Sequence, residues 1–299
     1  MAEHATDLLN QFSDAVAART AAAAPLVVGI DAGRGRWRSA VLWRGDVVIA
    51  SEQVLPKLDE AELHFSDGQR VKARLAGRDP GTNIAAFRLP SPLSATLPQP
   101  GEPKLGSLVL ALSADGRGGA AIRFGIVRSL GPAWHSRAGG RIDSRIALDL
   151  TLARNAEGGP VIDAAGRRLG MSTAGPGGRA IVIPAATIER VLEPLLAHGR
   201  IDRGWLGVAL QQVALPEGVA AGQGRGLMVM RIAPDSPAAA AGVIVGDILV
   251  AVDGAVTAHP GAIARRFGPE SIGKPVELRL IRTGAPQVLT ATVTARPAA

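Results

Sequence analysis

Few side chains in this sequence can serve as nucleophile, base or metal ligand, and their spacing excludes more chemistry than it offers. There is no cysteine, which removes disulfides and thiolate metal sites. The five histidines, His4, His64, His135, His198 and His259, are scattered, and none stands with a serine and an aspartate in a hydrolytic pattern. Surface or capping roles are expected for each. The stretch Asn155-Ala156-Glu157-Gly158-Gly159-Pro160 sets one carboxylate at the head of a Gly-Gly-Pro turn. A carboxylate there can accept hydrogen bonds or meet an amine. Without a neighbouring His or Asp cluster it is a poor metal ligand, so neither a metal nor a cofactor is expected.

The elements that must position this loop are short strands. Of the 299 residues 47% are hydrophobic, with 37 Gly and 21 Pro, which suits two or three globular, turn-rich domains. The net charge of +7 comes from 33 Lys and Arg against 26 Asp and Glu. It is spread along the chain with no basic block, so a nucleic-acid surface is not expected. Residues 6–22 carry Leu8, Leu9, Phe12, Ala15 and Val16 at helical spacing, which predicts an amphipathic helix ahead of Pro25. From there the period becomes two. About a dozen strands are predicted between residues 26 and 183, punctuated by turns such as Ser66-Asp67-Gly68, and they suggest a sandwich or paired barrels. Pro184 to His198 reads as a helix stopped by Gly199. From Asp202 onward five strands and two short helices follow, the second opened by Pro260 and closed by Gly268, a small α+β domain.

Several segments, taken in order, resemble one family. Asp202-Arg-Gly-Trp-Leu-Gly-Val208, Ser236-Pro-Ala-Ala-Ala-Ala-Gly242, Gly246-Asp247 and Val252-Asp-Gly254 look like the PDZ domain of the HtrA/DegP proteases. Phe65-Ser-Asp-Gly-Gln69, Asp79-Pro-Gly-Thr-Asn-Ile-Ala-Ala86, Gly125-Ile-Val127 and Glu157-Gly-Gly-Pro160 are similar to the same family's trypsin-like domain. The resemblance implies a mainly β chain: an N-terminal helix over 1–24, a trypsin-like double β-barrel domain over 25–199 and a small α+β PDZ domain over 202–297. In that family a Thr-Asn-Ala-His-Val-Val segment bears the general base, and here Ala50-Ser-Glu-Gln-Val-Leu55 puts Gln53 at that position. Asn83 stands where the orienting aspartate would be, and Glu157 where the nucleophilic serine would be.

Serine attack needs a hydroxyl, a base and an anion to orient that base. The three replacements therefore lead to the expectation of a pseudoprotease with no catalytic residues and no enzymatic activity. What remains would be peptide binding at the PDZ domain, where a C-terminus adds as a strand and backbone N–H groups hold its carboxylate. The resemblance assigns Trp205, Leu206, Gly207 and Val208 to that loop, Leu210 to the groove strand, and Ile263 and Phe267 to the opposite, helical wall. The implied role is an adaptor, scaffold or regulator that binds C-termini or unfolded segments. One alternative is an active or residually active serine-type endopeptidase of unfolded proteins. Another is a structural subunit that co-assembles with an active HtrA-type protease, and the resemblance also implies a homo-oligomer such as a trimer. Met1-Ala-Glu-His-Ala-Thr-Asp has no apolar leader and no run is long enough to span a bilayer, so a cytoplasmic location is expected.

Two further motifs are set aside. Val28-Gly-Ile-Asp-Ala-Gly33, with Gly33-Arg34-Gly35, resembles the phosphate-binding strand of sugar kinases, but no βα pattern follows. Ser271-Ile-Gly-Lys274 has the Ser-x-x-Lys spacing of penicillin-interacting enzymes without their other motifs. Trp134 lies in a loop where an aromatic either anchors the chain or meets a partner.

Overall fold

The computed structural model of the chain describes residues 2–33, 35–215 and 223–297, with the side chains of 2–6 and 264 left aside. The His4 side chain and position Arg34 of the glycine-rich turn thus lie outside the described residues. The chain forms two compact units, Met1–Trp134 with Ile142–Ile201 and His135–Arg141 with Asp202–Ala299.

Period-two alternation over short runs builds the first unit. After helix α1 (Ala2–Ala23) come β1 (Val27–Asp31), β2 (Trp37–Arg44), β3 (Val47–Ser51), β4 (Glu60–Phe65), β5 (Arg70–Asp79) and β6 (Ile84–Arg88). They close into an antiparallel barrel in the order β1-β2-β3-β6-β5-β4. A second set follows: β7 (Leu108–Ala114), β8 (Ala120–Gly131), the short β9 (Trp134–His135) and β10 (Arg141–Ile142), β11 (Arg145–Thr151), β12 (Pro160–Asp163), β13 (Arg168–Ala174) and β14 (Arg179–Pro184). Apart from the β9-β10 ribbon these close into another barrel, β11-β14-β13-β12-β7-β8. Closure leaves no long sheet edge exposed. Each barrel is filled by its inward residues: Val28, Ile30, Leu42, Leu63 and Phe87 in the first, and Val109, Val127, Leu148, Val161 and Val182 in the second. Another core lies between the barrels. Val41, Trp43, Ile49 and Ile84 of the first barrel meet Leu110, Leu112, Ile162 and Met171 of the second, and helix α2 (Ala185–His198) covers them with Ile188, Val191, Leu192 and Leu195.

A polar clasp spans that seam. Buried Trp43 on β2 donates its Nε1–H to Glu189 of α2 at 2.7 Å. The Arg168 guanidinium of β13 lies 3.7 Å above the Trp43 ring and donates to the Trp43 carbonyl at 2.8 Å. A cation over an indole is worth roughly 0.5–2 kcal/mol, and here it joins both barrels and the helix through one side chain.

The predicted N-terminal helix forms, but its apolar face is covered only toward its end. Leu8 and Leu9 are exposed, Phe12 is 47% exposed and forms a T-shaped pair with Phe124 of β8, ring centroids 5.7 Å apart, and Val16 packs on the inter-barrel core. Trp134 takes the anchoring role, half-buried against that same core.

In the second unit β15 (Gly204–Trp205) and β16 (Val208–Ala214) replace the single strand predicted over 204–211, because the chain breaks at Leu206-Gly207, where Gly207 has φ +80°. There follow β17 (Arg225–Ile232), α3 (Pro237–Ala240), β18 (Ile248–Val252), β19 (Ala255–Val256), α4 (Pro260–Arg266), β20 (Pro275–Arg282), β21 (Ala285–Thr292) and β22 (Thr294–Ala295). The main sheet runs β16-β17-β18-β20-β21, with β19 on β18, and β15 pairs β22. Ser236 caps α3 by accepting the Ala239 N–H, as its Ser-Pro start predicts. Helix α4 stops at Arg266, earlier than the predicted Gly268, and Phe267 leaves the helical region at φ −100°, ψ 60°. No helix of the described residues is long and apolar enough to cross a membrane.

Asp247 ties this unit together. Its side chain is buried, accepts two bonds from Arg282 at 2.8 Å each, and accepts the Ile244 N–H at 2.9 Å. Burial alone would raise its carboxyl, but the Arg282 and Ile244 bonds and the Arg282 charge outweigh that and hold it below its usual value. A depressed folded-state value means a contribution present above the unfolded value, ~4, and lost as pH falls through the folded one. Hydrogen exchange at the β18 and β20 amides is expected to show protection in the wild type that holds from pH 7 to about 4 and falls below it. Asp247→Asn should start less protected at pH 7 and decline less steeply; parallel profiles would remove Asp247 from the acid response.

Candidate functional site

The carboxylate loop lies where the two barrels meet. The Asn155 carbonyl accepts both the Ser39 N–H at 3.0 Å and the Ser39 hydroxyl at 2.7 Å, so the loop is fastened to β2. The Gly158 N–H donates to the Ser172 carbonyl and the Ser172 N–H to the Gly159 carbonyl, which fastens it to β13. A Cβ at Gly158 would stand 2.2 Å from the Ser39 carbonyl oxygen, and one at Gly159 would stand 1.9 Å from that of Leu112. Both positions require glycine for close approach, and Gly158 also for its φ of +99°.

This loop carries Glu157 into a group of five polar side chains. Gln53, in the single turn Glu52–Val54 after β3, donates from Nε2 to Glu157 Oε2 at 2.6 Å and to Thr173 Oγ1 at 2.9 Å. Asn83, held at φ +61° just before β6, accepts the Gln53 N–H on Oδ1 at 2.7 Å and donates to Ser51 Oγ at 3.0 Å and Thr173 Oγ1 at 2.8 Å. Two hydroxyls complete the circuit: Thr173 donates to Glu157 Oε2 at 3.3 Å, and the Ser51 hydroxyl lies 3.2 Å from Asn83 Oδ1 and 3.4 Å from Glu157 Oε2, sharing its one proton between them. The carboxylate oxygen Oε2 therefore receives three neutral donors. Glu157 is only 3% exposed, and among the described residues no cation forms a salt bridge with it.

The structure thus brings together Gln53, Asn83 and Glu157, the three positions that the resemblance pairs across sequence. It adds Ser51 and Thr173, which sequence reasoning missed. Ser51 ends β3 while Gln53 lies in the turn after it, so strand alternation does not link the two and the sequence gives no local mark of Ser51. Thr173 lies 120 residues beyond Gln53 with nothing local to mark it. Among the described residues no group of three or more His, Cys, Asp or Glu could hold a metal ion. His64 packs edge-on against Trp37 at 4.7 Å and takes no part. Ser271 of the Ser-x-x-Lys motif caps its own turn by donating to the Gly268 carbonyl at 2.7 Å.

A second candidate site follows the break between β15 and β16. The Leu206 and Gly207 carbonyls are tied inward, accepting from Ala238 at 3.0 Å and Ala233 at 2.7 Å. The N–H groups of the same two residues make no hydrogen bond among the described residues. Gly207 permits this turn, since a Cβ there would lie 2.2 Å from Ser236 Cβ. Strand β16 is an edge of the main sheet, beside α4. Val208 and Leu210 on β16 are partly buried, as is Trp205 just before it. Leu206, Ile263 and Phe267 are buried together in the domain core, so they are core residues and not the open groove walls expected of them. The expected i, i+4 pairing of Ile263 and Phe267 on one helix does not hold, because Phe267 lies past the end of α4. Gln212 was not anticipated. It donates to the Ala258 carbonyl at 2.6 Å and lies 3.0 Å from His259 Nδ1, bridging β16 to the start of α4.

Comparison with known proteins agrees with this architecture. Residues 38–171 match the trypsin-like peptidase domain family and residues 228–282 the PDZ domain family. Over 264 residues the chain is 28% identical to a probable periplasmic serine endoprotease, DegP-like, of Brucella suis biovar 1 (strain 1330), covering 84% of this chain and 50% of that protein. The protein of the same description from Pseudomonas savastanoi pv. phaseolicola (strain 1448A / Race 6) is 29% identical over 260 residues, covering 84% and 54%. The chain therefore spans about half the length of the curated relatives it matches. Among solved structures, the HtrA-type protease AlgW with tripeptide superposes with a TM-score of 0.70 at 25% identity, over 95% of this chain and 98% of that one.

These names correct two expectations. The curated relatives are named probable serine endoproteases and the solved structure an HtrA-type protease, which conflicts with the expectation of a protein without enzymatic activity drawn from Gln53, Asn83 and Glu157. They are also named periplasmic, which overturns the cytoplasmic location inferred from the first residues. With its two six-stranded barrels and the small α+β unit after them, the chain is a homologue of the DegP/HtrA serine proteases, a trypsin-like peptidase domain followed by a PDZ domain.

Proposed function

We propose that the chain works as an endopeptidase-type protein on unfolded polypeptide, and that its PDZ domain captures a free C-terminus or an exposed apolar segment. The observation that carries this reading is similarity over 84% of the chain to proteins named serine endoproteases, with both domains in their order. The loop fastened between the barrels supports it too, because it keeps a rigid polar site at the seam. Rigid support of this kind is what catalytic and binding groups need.

The PDZ part of the proposal rests on backbone chemistry. The unpartnered N–H groups of Leu206 and Gly207 suit a terminal carboxylate, and the edge of β16 suits an added strand. Val208 and Leu210 favour apolar residues near the peptide's end, and Gln212 with His259 offers a polar contact further along.

Purified chain incubated with labelled casein is expected to release fragments, with activity co-eluting with the protein in size-exclusion chromatography. Intact casein would overturn the endopeptidase reading and leave peptide capture to be judged separately. For capture, a fluorescent peptide with a free apolar C-terminal residue should bind at least ~10-fold more tightly than its C-terminal amide, since the amide loses charge-assisted hydrogen bonds. Equal affinities would remove the Leu206–Gly207 turn as the recognition element.

A further inference from the structure

Of the five side chains gathered at the inter-barrel seam, one alone can accept a proton. Gln53 and Asn83 are amides, and the remaining two are alcohols. The Ser51 hydroxyl is held between Asn83 Oδ1 and Glu157 Oε2, and the Thr173 hydroxyl accepts from Gln53 and Asn83 and donates to Glu157 Oε2. Neither oxygen is free to attack a substrate carbonyl. The nucleophile of any hydrolysis at this site must therefore come from solvent.

Glu157 is arranged as its base. All three donors converge on Oε2, at 2.6, 3.3 and 3.4 Å, while Oε1 makes no hydrogen bond among the described residues. One oxygen fixes the carboxylate and the other keeps its lone pairs. No guanidinium or ammonium among the described residues pairs with the group to quench it. In the same loop, the backbone N–H groups of Asn155 and Glu157 make no hydrogen bond among the described residues, whereas those of Ala156 and Gly158 are occupied. A base and two donors thus stand within three consecutive residues.

Resting on the endopeptidase reading, we infer that the cleft hydrolyses peptide bonds through a water molecule activated by Glu157, without a covalent acyl-enzyme. Glu157 Oε1 takes one proton from water as the water oxygen bonds to the scissile carbonyl carbon, and the carbonyl π pair moves onto its oxygen. The Asn155 and Glu157 N–H groups donate to that oxyanion. The carbonyl then re-forms and the C–N bond breaks, its electron pair staying on nitrogen. That nitrogen takes the proton held by Glu157, which returns to carboxylate as a carboxylic acid and an amine leave. Gln53 acts as a positioning residue, since its 2.6 Å bond sets the direction of Oε1.

The test uses the full chain with labelled casein, in wild type and in Glu157→Gln, which keeps the shape and an accepting oxygen but cannot take the proton. Loss of a general base costs about 10²–10⁴-fold, so a fall of at least ~100-fold is expected in the variant. Fluorophosphonate, which labels activated serine hydroxyls, should neither label the wild type nor slow it, a readout that needs no variant. Casein cleavage that persists within a few-fold in Glu157→Gln, or that fluorophosphonate abolishes, would overturn the water mechanism and leave the endopeptidase reading standing. Casein left intact by the wild type would overturn both.

Discussion

At Gly159 the backbone has no room for a side chain, because a Cβ would fall 1.9 Å from the Leu112 carbonyl of β7; at Gly158 the same atom would fall 2.2 Å from the Ser39 carbonyl of β2. These two approaches draw one loop against a strand from each barrel. Ser39 is the shared rivet. Its hydroxyl donates to Asn155 and accepts the Ala114 N–H at the end of β7, and its own N–H also reaches Asn155. The polar group around Glu157 depends on this, since Glu157 meets Gln53, Asn83, Ser51 and Thr173 only if the loop is pressed into place. The Trp43, Arg168 and Glu189 clasp secures the same seam from the α2 side.

Burying a carboxylate without a cation is costly, and this structure meets that cost with neutral dipoles instead of an ion pair. Three donors on one oxygen hold Glu157 while leaving it uncompensated in charge. The PDZ domain shows the contrasting solution: buried Asp247 is fully paired with Arg282 and serves the fold. Two buried acids in one chain thus have opposite surroundings, and the difference follows from whether an arginine can reach them.

Much of this was legible in the sequence. Period two places the strands of both barrels, and the Gly-Gly-Pro stretch marks the loop, because glycine pairs at fixed spacing report close backbone approach. Gln53, Asn83 and Glu157 could be brought together only through a family resemblance, since Gln53 lies 30 residues from Asn83 and 104 from Glu157. Ser51 and Thr173 could not be read, as a hydroxyl on a strand has no local signature of the side chain it will face. Phe267 was placed on a helix because Gly268 looked like its stop, yet the helix ends one residue before Phe267 as that ring enters the core. Leu8 and Leu9 follow helical spacing without being buried, which shows that amphipathic pattern predicts helix better than it predicts contact. The expectation of no activity from three altered side chains is overturned by relatives named serine endoproteases, because replacing a serine removes one nucleophile and leaves a carboxylate that can serve as a base.

The most direct measurement of the account is thermal unfolding of Gly159→Ala beside Gly131→Ala, whose added methyl would meet only Arg145 side-chain atoms at ordinary contact distance. Overpacking a closed contact costs about 1–3 kcal/mol or more, so Gly159→Ala should unfold at a clearly lower temperature while Gly131→Ala stays near the wild type. Equal midpoints for all three proteins would contradict the claim that the close approach of this loop to β7 holds the seam and its polar site in place.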